Sequence, residues 1–132
     1  MILDATLKNL HKVLSYVDDE LEKLNCPLKA KLQIDIAVEE VFVNIASYAY
    51  VHGIGKATVM IVPERDPTGI SIVFKDSGIP YNPLEKPDPD VTLPAMDRQI
   101  GGLGIFMVKK SMDEMTYRYE NGQNILTIRK FF

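Results

Sequence analysis

Three short patterns in this chain of 132 residues set chemically capable side chains at fixed spacings. The first is Glu40-x-x-x-Asn44, inside an apolar run of Ile34, Ile36, Ala37, Val38, Val41, Phe42, Val43, Ile45 and Ala46. Residues four apart on a helix project from one face, one turn apart. A carboxylate in apolar surroundings is costly unless something compensates it. A hydrated Mg²⁺ held by the Asn44 oxygen and by substrate phosphates would do so. A water or hydroxyl activated by Glu40 would make use of the carboxylate. The plainer reading is a helix whose one polar edge, carrying Glu39, Glu40 and Asn44, reaches the surface.

The second pattern is Asp76-Ser77-Gly78, directly after a strand-like run. A carboxylate at a strand end can accept an exocyclic amino group such as adenine's, and a glycine two residues on lets a base approach the backbone. The same three residues also suit an ordinary turn. The third is Gly101-Gly102-Leu103-Gly104, which opens a helical run. Free backbone N–H groups at a helix start attract phosphates; a tight turn before a helix is the alternative. It lacks the Lys-Ser/Thr ending of a P-loop and follows a proline-rich stretch, not a strand, so it is no dinucleotide fingerprint either. Arg98, three residues earlier, suits a terminal phosphate. Other polar residues carry less. Cys26 precedes Pro27 with no activating neighbour, and His11 and His52 have no partner set. Lys109 and Lys110 read as solvent-facing, and Tyr117 and Tyr119 as packing on one strand face.

The elements that must position these residues follow from periodicity. Ile2 to Ala5 reads as a short strand, with Thr6 as a cap for the next helix. Leu7, Leu10, Leu14, Val17, Leu21 and Leu24 form one apolar stripe, ended at Cys26-Pro27. A second helix is predicted from about Leu28 to Tyr50, apolar nearly all round from Ile34 onward and therefore central. Ala57–Val62 and Ile70–Lys75 alternate like strands around Asp66-Pro67-Thr68-Gly69. Residues 79–100 carry prolines at 80, 83, 87, 89 and 94 and fit neither period; a loop of that length in a small domain is commonly a lid. Ile105–Met112 reads as a short helix, and Met115–Glu120 and Gln123–Arg129 as a hairpin around Asn121-Gly122. The order predicts an α/β fold, a two-layer sandwich with helices on one face of a mostly antiparallel mixed sheet.

Composition bounds the alternatives. The chain is 46% apolar and 25% charged, as in ordinary soluble domains, with a net charge of −3. No clustered basic surface points to direct nucleic-acid binding, and no apolar run spans a membrane. One cysteine allows no internal disulfide and no zinc spacing. The N-terminus lacks the basic and apolar blocks of a signal peptide. A cytoplasmic location is expected.

In combination, a helix with E-x-x-x-N, a strand ending in D-x-G, a long loop and a G-x-G helix start resemble the Bergerat nucleotide-binding fold of the GHKL ATPases, over nearly the whole chain. The segments AVEEVFVNIASYAY, FKDSGIPYNP, PDPD and RQIGGLGIFMVKKSMDEMTYRYENGQNILTI are similar to the stand-alone anti-sigma regulatory serine kinases. The resemblance implies one histidine-kinase-like ATPase domain over residues 1–132, with an ATP lid at about 79–100. It implies ATP and Mg²⁺ as ligands, Glu40 as catalytic base and Asn44 as metal ligand. Asp76 and Gly78 would hold adenine, and Gly101, Gly102, Leu103 and Gly104 would line the phosphates with Arg98. Thr127 matches the late-strand Thr that supports the adenine site. One departure is Tyr48, where family members often have His.

The implied function is phosphorylation of a serine or threonine on a small anti-sigma-factor antagonist protein. A sigma factor is a second implied partner, and such kinases are commonly homodimers. The alternative is an ATP-binding module that sequesters a sigma factor or other partner without kinase activity; the presence of Glu40 favours the enzyme. The ATP domain of a sensor histidine kinase is a third reading, but it would need a phosphoacceptor helical hairpin that 132 residues do not accommodate.

Overall fold

The computed structural model describes residues 1–85 and 102–132. Strand β1 (Ile2–Asp4) leads through a 3-10 turn (Leu7–Asn9) into helix α1 (Leu10–Lys23). Helix α2 (Leu28–Asn44) continues into a wider π turn (Ile45–Ala49). Strands β2 (Lys56–Glu64) and β3 (Gly69–Asp76) form a hairpin. A 3-10 turn at Pro83–Glu85, helix α3 (Gly102–Ser111) and the hairpin of β4 (Glu114–Glu120) and β5 (Gln123–Phe131) complete the order. The sheet runs β1-β2-β3-β5-β4. Every pairing is antiparallel, so the mixed character expected from the sequence is absent among the described strands. The two-layer α/β architecture itself is as expected.

The helices cover one face of the sheet because period and phase agree there. From α1, Val13, Val17 and Leu21 are fully buried; from α2, Ile34, Ala37, Val38, Val41 and Phe42; from α3, Val108. They meet the alternate residues Ala57 and Val59, Ile70, Ile72 and Phe74, and Leu126 and Ile128 of β2, β3 and β5. Two apolar expectations shift. Leu7 is exposed and Val13 takes a core place, because the 3-10 turn advances each residue by about 120° and resets the phase of the stripe. Helix α2 is not buried all round from Ile34 onward: Ile36 faces solvent, with 56% of its surface exposed, on the side that Leu28 and Leu32 also leave open. Thr6 precedes the 3-10 turn without a side-chain capping bond.

Local chemistry ends the elements where the sequence indicates. Asn25, at φ 54°, closes α1, with the Cys26 N–H donating to the Leu21 carbonyl at 3.1 Å. Asn121 and Gly122 both take positive φ in the β4–β5 turn, as a tight two-residue hairpin requires. The register sets Asp76 opposite Asn124, and Tyr119 opposite Asn124 from the other side.

Candidate functional site

A cavity of about 370 Å³ opens at the end of the sheet, between it and the C-terminal half of α2. Val41, Asn44, Ile45, Tyr48 and Ala49 line it from α2 and the π turn. Asp76, Ile79, Tyr81 and Pro83 line it from the end of β3 and the segment beyond. Ile105 of α3, Tyr117 of β4, and Asn124 and Leu126 of β5 complete the wall. Apolar walls with a few convergent polar groups are the usual make-up of a small-molecule site.

Backbone staples hold the two motif-bearing elements together. The Ile79 N–H donates to the Ala49 carbonyl at 2.9 Å, and the Ser77 N–H donates to the Tyr50 hydroxyl at 2.9 Å. That hydroxyl in turn donates to the Lys56 carbonyl at 2.5 Å. Gly78 is needed for this closure: a Cβ there would stand 2.2 Å from the Ala49 oxygen. Its glycine therefore serves the contact between the end of β3 and the π turn.

Asp76 is buried, with 6% of its surface exposed. Its Oδ1 accepts from the Gly78 N–H at 2.9 Å and from the Asn124 side-chain amide at 2.9 Å. Two donors on one oxygen fix the position of this buried carboxylate. Asn44 and Glu40 are half-buried on one edge of α2, and Glu39 is exposed, so the polar edge of this helix does reach the surface. Asn44 lines the cavity; Glu40 stands one turn outside the lining, against the first turn of α3. A Cβ on Gly104 would come within 2.1 Å of the Glu40 Oε2, so the missing side chain makes room for that carboxylate. Gly102 and Leu103 form the start of α3. Arg98 and Gly101 lie outside the described residues, as does most of the loop predicted at 79–100.

Thr127 is not brought to the cavity. Side chains alternate along β5, so Asn124, Leu126 and Ile128 face the helices while Ile125, Thr127 and Arg129 face away. Thr127 sits opposite Val73 and Thr116 on the far face of the sheet. The late-strand residue on Asp76 is Asn124, three positions earlier. An odd offset always means the opposite face. Its sequence signal was a polar residue in phase with Leu126 and Ile128, one that needs a buried partner. Tyr117, read as packing, also belongs to the site: its hydroxyl donates to Asn124 Oδ1 at 2.5 Å. Burial pushes the Tyr117 hydroxyl above its ordinary range, which keeps its proton on. Burial likewise raises the Cys26 thiol, in keeping with an unreactive cysteine.

The donors available suit a nucleotide with its metal carried mainly by phosphates. No group of three His, Cys, Asp or Glu side chains converges as a metal site among the described residues. Asn44 lines the cavity, and its one amide oxygen could serve a Mg²⁺ site that relies mainly on substrate phosphates and water.

A fold of three helices on an antiparallel sheet, with a D-x-G carboxylate facing an E-x-x-x-N helix across one cavity, defines an ATPase-domain class. The chain belongs to the histidine kinase-like ATPase domain family, whose model matches residues 3–130. Among individual proteins, it is 24% identical over 100 residues to the serine/threonine-protein kinase BtrW of Bordetella bronchiseptica, covering 76% of this chain and 70% of that one. It is 22% identical over 129 residues to the serine-protein kinase RsbW of Bacillus mycoides, covering 95% of this chain and 73% of that one. The RsbW of Bacillus cereus strain B4264 matches at 23% over the same length, with the same coverage.

Proposed function

We propose that this chain binds Mg-ATP in the cavity and transfers the terminal phosphoryl group to a serine or threonine of a small anti-sigma-factor antagonist protein. The observation that carries this reading is the sequence of groups along one groove. Buried Asp76 and half-buried Asn44 line the cavity, and Glu40 stands one helical turn beyond Asn44, beside the glycine start of α3. The family membership and the kinase names of BtrW and RsbW support it.

In this reading the Asp76 carboxylate accepts the adenine amino group, and Ile79, Ile105 and Leu126 pack on the base. Backbone N–H groups at the start of α3, with Gly101 and Arg98, hold the phosphates. Asn44 would hold the metal, which when bound neutralises charge on the phosphate oxygens. The partner's hydroxyl oxygen attacks the terminal phosphorus as the bond to the bridging oxygen breaks, and ADP departs. Glu40 takes the hydroxyl proton. A base so placed contributes about 10²- to 10⁴-fold. The protein's main task is positioning, and the staples between the π turn and the end of β3 serve it.

The test is a phosphotransfer assay with labelled ATP, Mg²⁺ and antagonist proteins recovered from the native cell. Wild type labels its partner on Ser or Thr; Glu40→Gln binds ATP nearly normally and transfers at least about 100-fold more slowly. Transfer by Glu40→Gln at the wild-type rate removes Glu40 as base. A wild type that captures a sigma factor with ATP bound, yet labels no antagonist, supports the sequestration module instead.

A further inference from the structure

We propose that Asn124 is a positioning residue for base recognition: it locks Asp76 in one orientation and ties that carboxylate to the chain leaving β3. The inference rests on the adenine reading of the cavity and adds a residue to it.

The amide of Asn124 is buried, with 6% of the residue's surface exposed, and uses both its ends. Its Oδ1 accepts from the Tyr117 hydroxyl at 2.5 Å and from the Tyr81 backbone N–H at 3.1 Å. Its Nδ2 donates to Asp76 Oδ1 and to the Ile79 carbonyl, both at 2.9 Å. A backbone N–H can only donate, and a carbonyl and a carboxylate can only accept. Flipping the amide would face donor with donor at Tyr81 and acceptor with acceptor at Asp76 and Ile79. One orientation alone satisfies all four partners.

The consequence falls on Asp76. With Oδ1 taken by Gly78 N–H and Asn124, the remaining oxygen, Oδ2, is the one presented to a ligand. The two bonds also prevent the carboxylate from turning about its last torsion. A single fixed acceptor suits the amino group of adenine and repels the carbonyl that guanine carries at the same place. Because Nδ2 and Oδ1 also hold Ile79 and Tyr81, both of which line the cavity, base binding and the course of this segment are coupled through one side chain.

Replacement by Asp is the informative change, since it keeps the shape and removes the donor. The titratable groups facing this position are Asp76 of β3, Tyr117 and Tyr119 of β4, and Glu85 near Tyr117. In Asn124→Asp the new carboxylate opposes Asp76; protonated, it donates to Asp76 again. Calorimetry of ATP and GTP binding is run on wild type, Asn124→Asp, Asn124→Leu and Tyr117→Phe, with folding checked by thermal unfolding. At about pH 8 we expect Asn124→Asp and Asn124→Leu to bind ATP roughly 30-fold more weakly than wild type, with a reduced preference over GTP. At about pH 5.5 the deficit of Asn124→Asp, taken as a ratio to wild type, shrinks at least about fivefold, while that of Asn124→Leu does not. A merely structural role would not produce that divergence. Tyr117→Phe keeps the amide's other three bonds and weakens ATP by roughly three- to tenfold; it decides the matter if the Asn124 variants do not fold. Folded variants within about threefold of wild type, with unchanged nucleotide preference and no pH divergence, overturn the proposal. A wild type that binds no adenine nucleotide overturns the reading of the cavity itself.

Discussion

Asp76 lines the cavity with its Oδ1 held by the Gly78 N–H and the Asn124 amide, so a change of a single atom has a directed effect. Asp76→Asn replaces the charged acceptor by an amide. On the adenine reading, ATP should bind about 10- to 100-fold more weakly while GTP binding changes little; calorimetry on both nucleotides checks it. Gly104 makes the same point sterically. In Gly104→Ala the new methyl would meet Glu40 Oε2 at 2.1 Å, so the carboxylate has to move. A displaced base costs turnover before it costs binding. Phosphotransfer is expected to fall at least about tenfold with ATP affinity within about threefold of wild type, measured by single-turnover labelling beside calorimetry.

The α1–α2 pair carries a charge arrangement that the site does not use. Lys31 pairs with Asp35 at 3.0 Å and approaches Asp18 at 3.5 Å. The Oδ1 atoms of both carboxylates are buried without a hydrogen-bond partner. Burial, and then the neighbouring Asp18, push the Asp35 carboxyl up to about 6, from an ordinary 3.8. The folded state therefore holds a proton that the unfolded chain has released between these two values. Stability from this group is greatest at low pH, declines as pH rises through that window, and stays lowered above about 6. Asp18→Asn removes the opposing charge. It should flatten this decline and raise stability near neutrality by about 1 kcal/mol, the lost pairing with Lys31 being half-exposed and weak. Urea unfolding midpoints across about pH 4 to 7.5 test it; a variant profile that declines as steeply as wild type would rule out the coupling.

For the whole molecule the cavity joins elements from both layers, so a nucleotide that fills it stabilises the fold. Ligand at about 100 times its dissociation constant adds ~2.7 kcal/mol, which in a domain of this size raises the melting temperature by several degrees. The expected order is Mg-ATP above ATP with EDTA, and both above the free protein. Asn44→Ala should remove the difference that magnesium makes while leaving a smaller shift with ATP alone. Differential scanning fluorimetry with the two variants side by side reads this directly. An equal shift with and without magnesium in wild type would exclude Asn44 as a metal ligand. No helix among the described residues is long and apolar enough to cross a membrane.

Local chemistry made much of this legible from the sequence. The alternation of Ile70, Ile72 and Phe74, the Asn121-Gly122 turn and the long apolar stretch of α2 each specify an element through short-range rules of period and backbone freedom. With those elements in order, Asp76 and Asn44 both line one cavity. What the sequence left open depended on phase and on contacts between distant residues. The 3-10 turn before α1 exchanged Leu7 for Val13 in the core, and the surface edge of α2 left Ile36 outside it. The decisive case is β5. A family likeness pointed to Thr127, but a strand's faces are assigned only by its register with β3, and that register turned Thr127 away and set Asn124 on Asp76. The sequence by itself determined which elements form and which residues carry charge into the site. Only the tertiary structure decided which of two polar residues three apart meets the buried carboxylate, because that contact joins positions 48 residues apart along the chain.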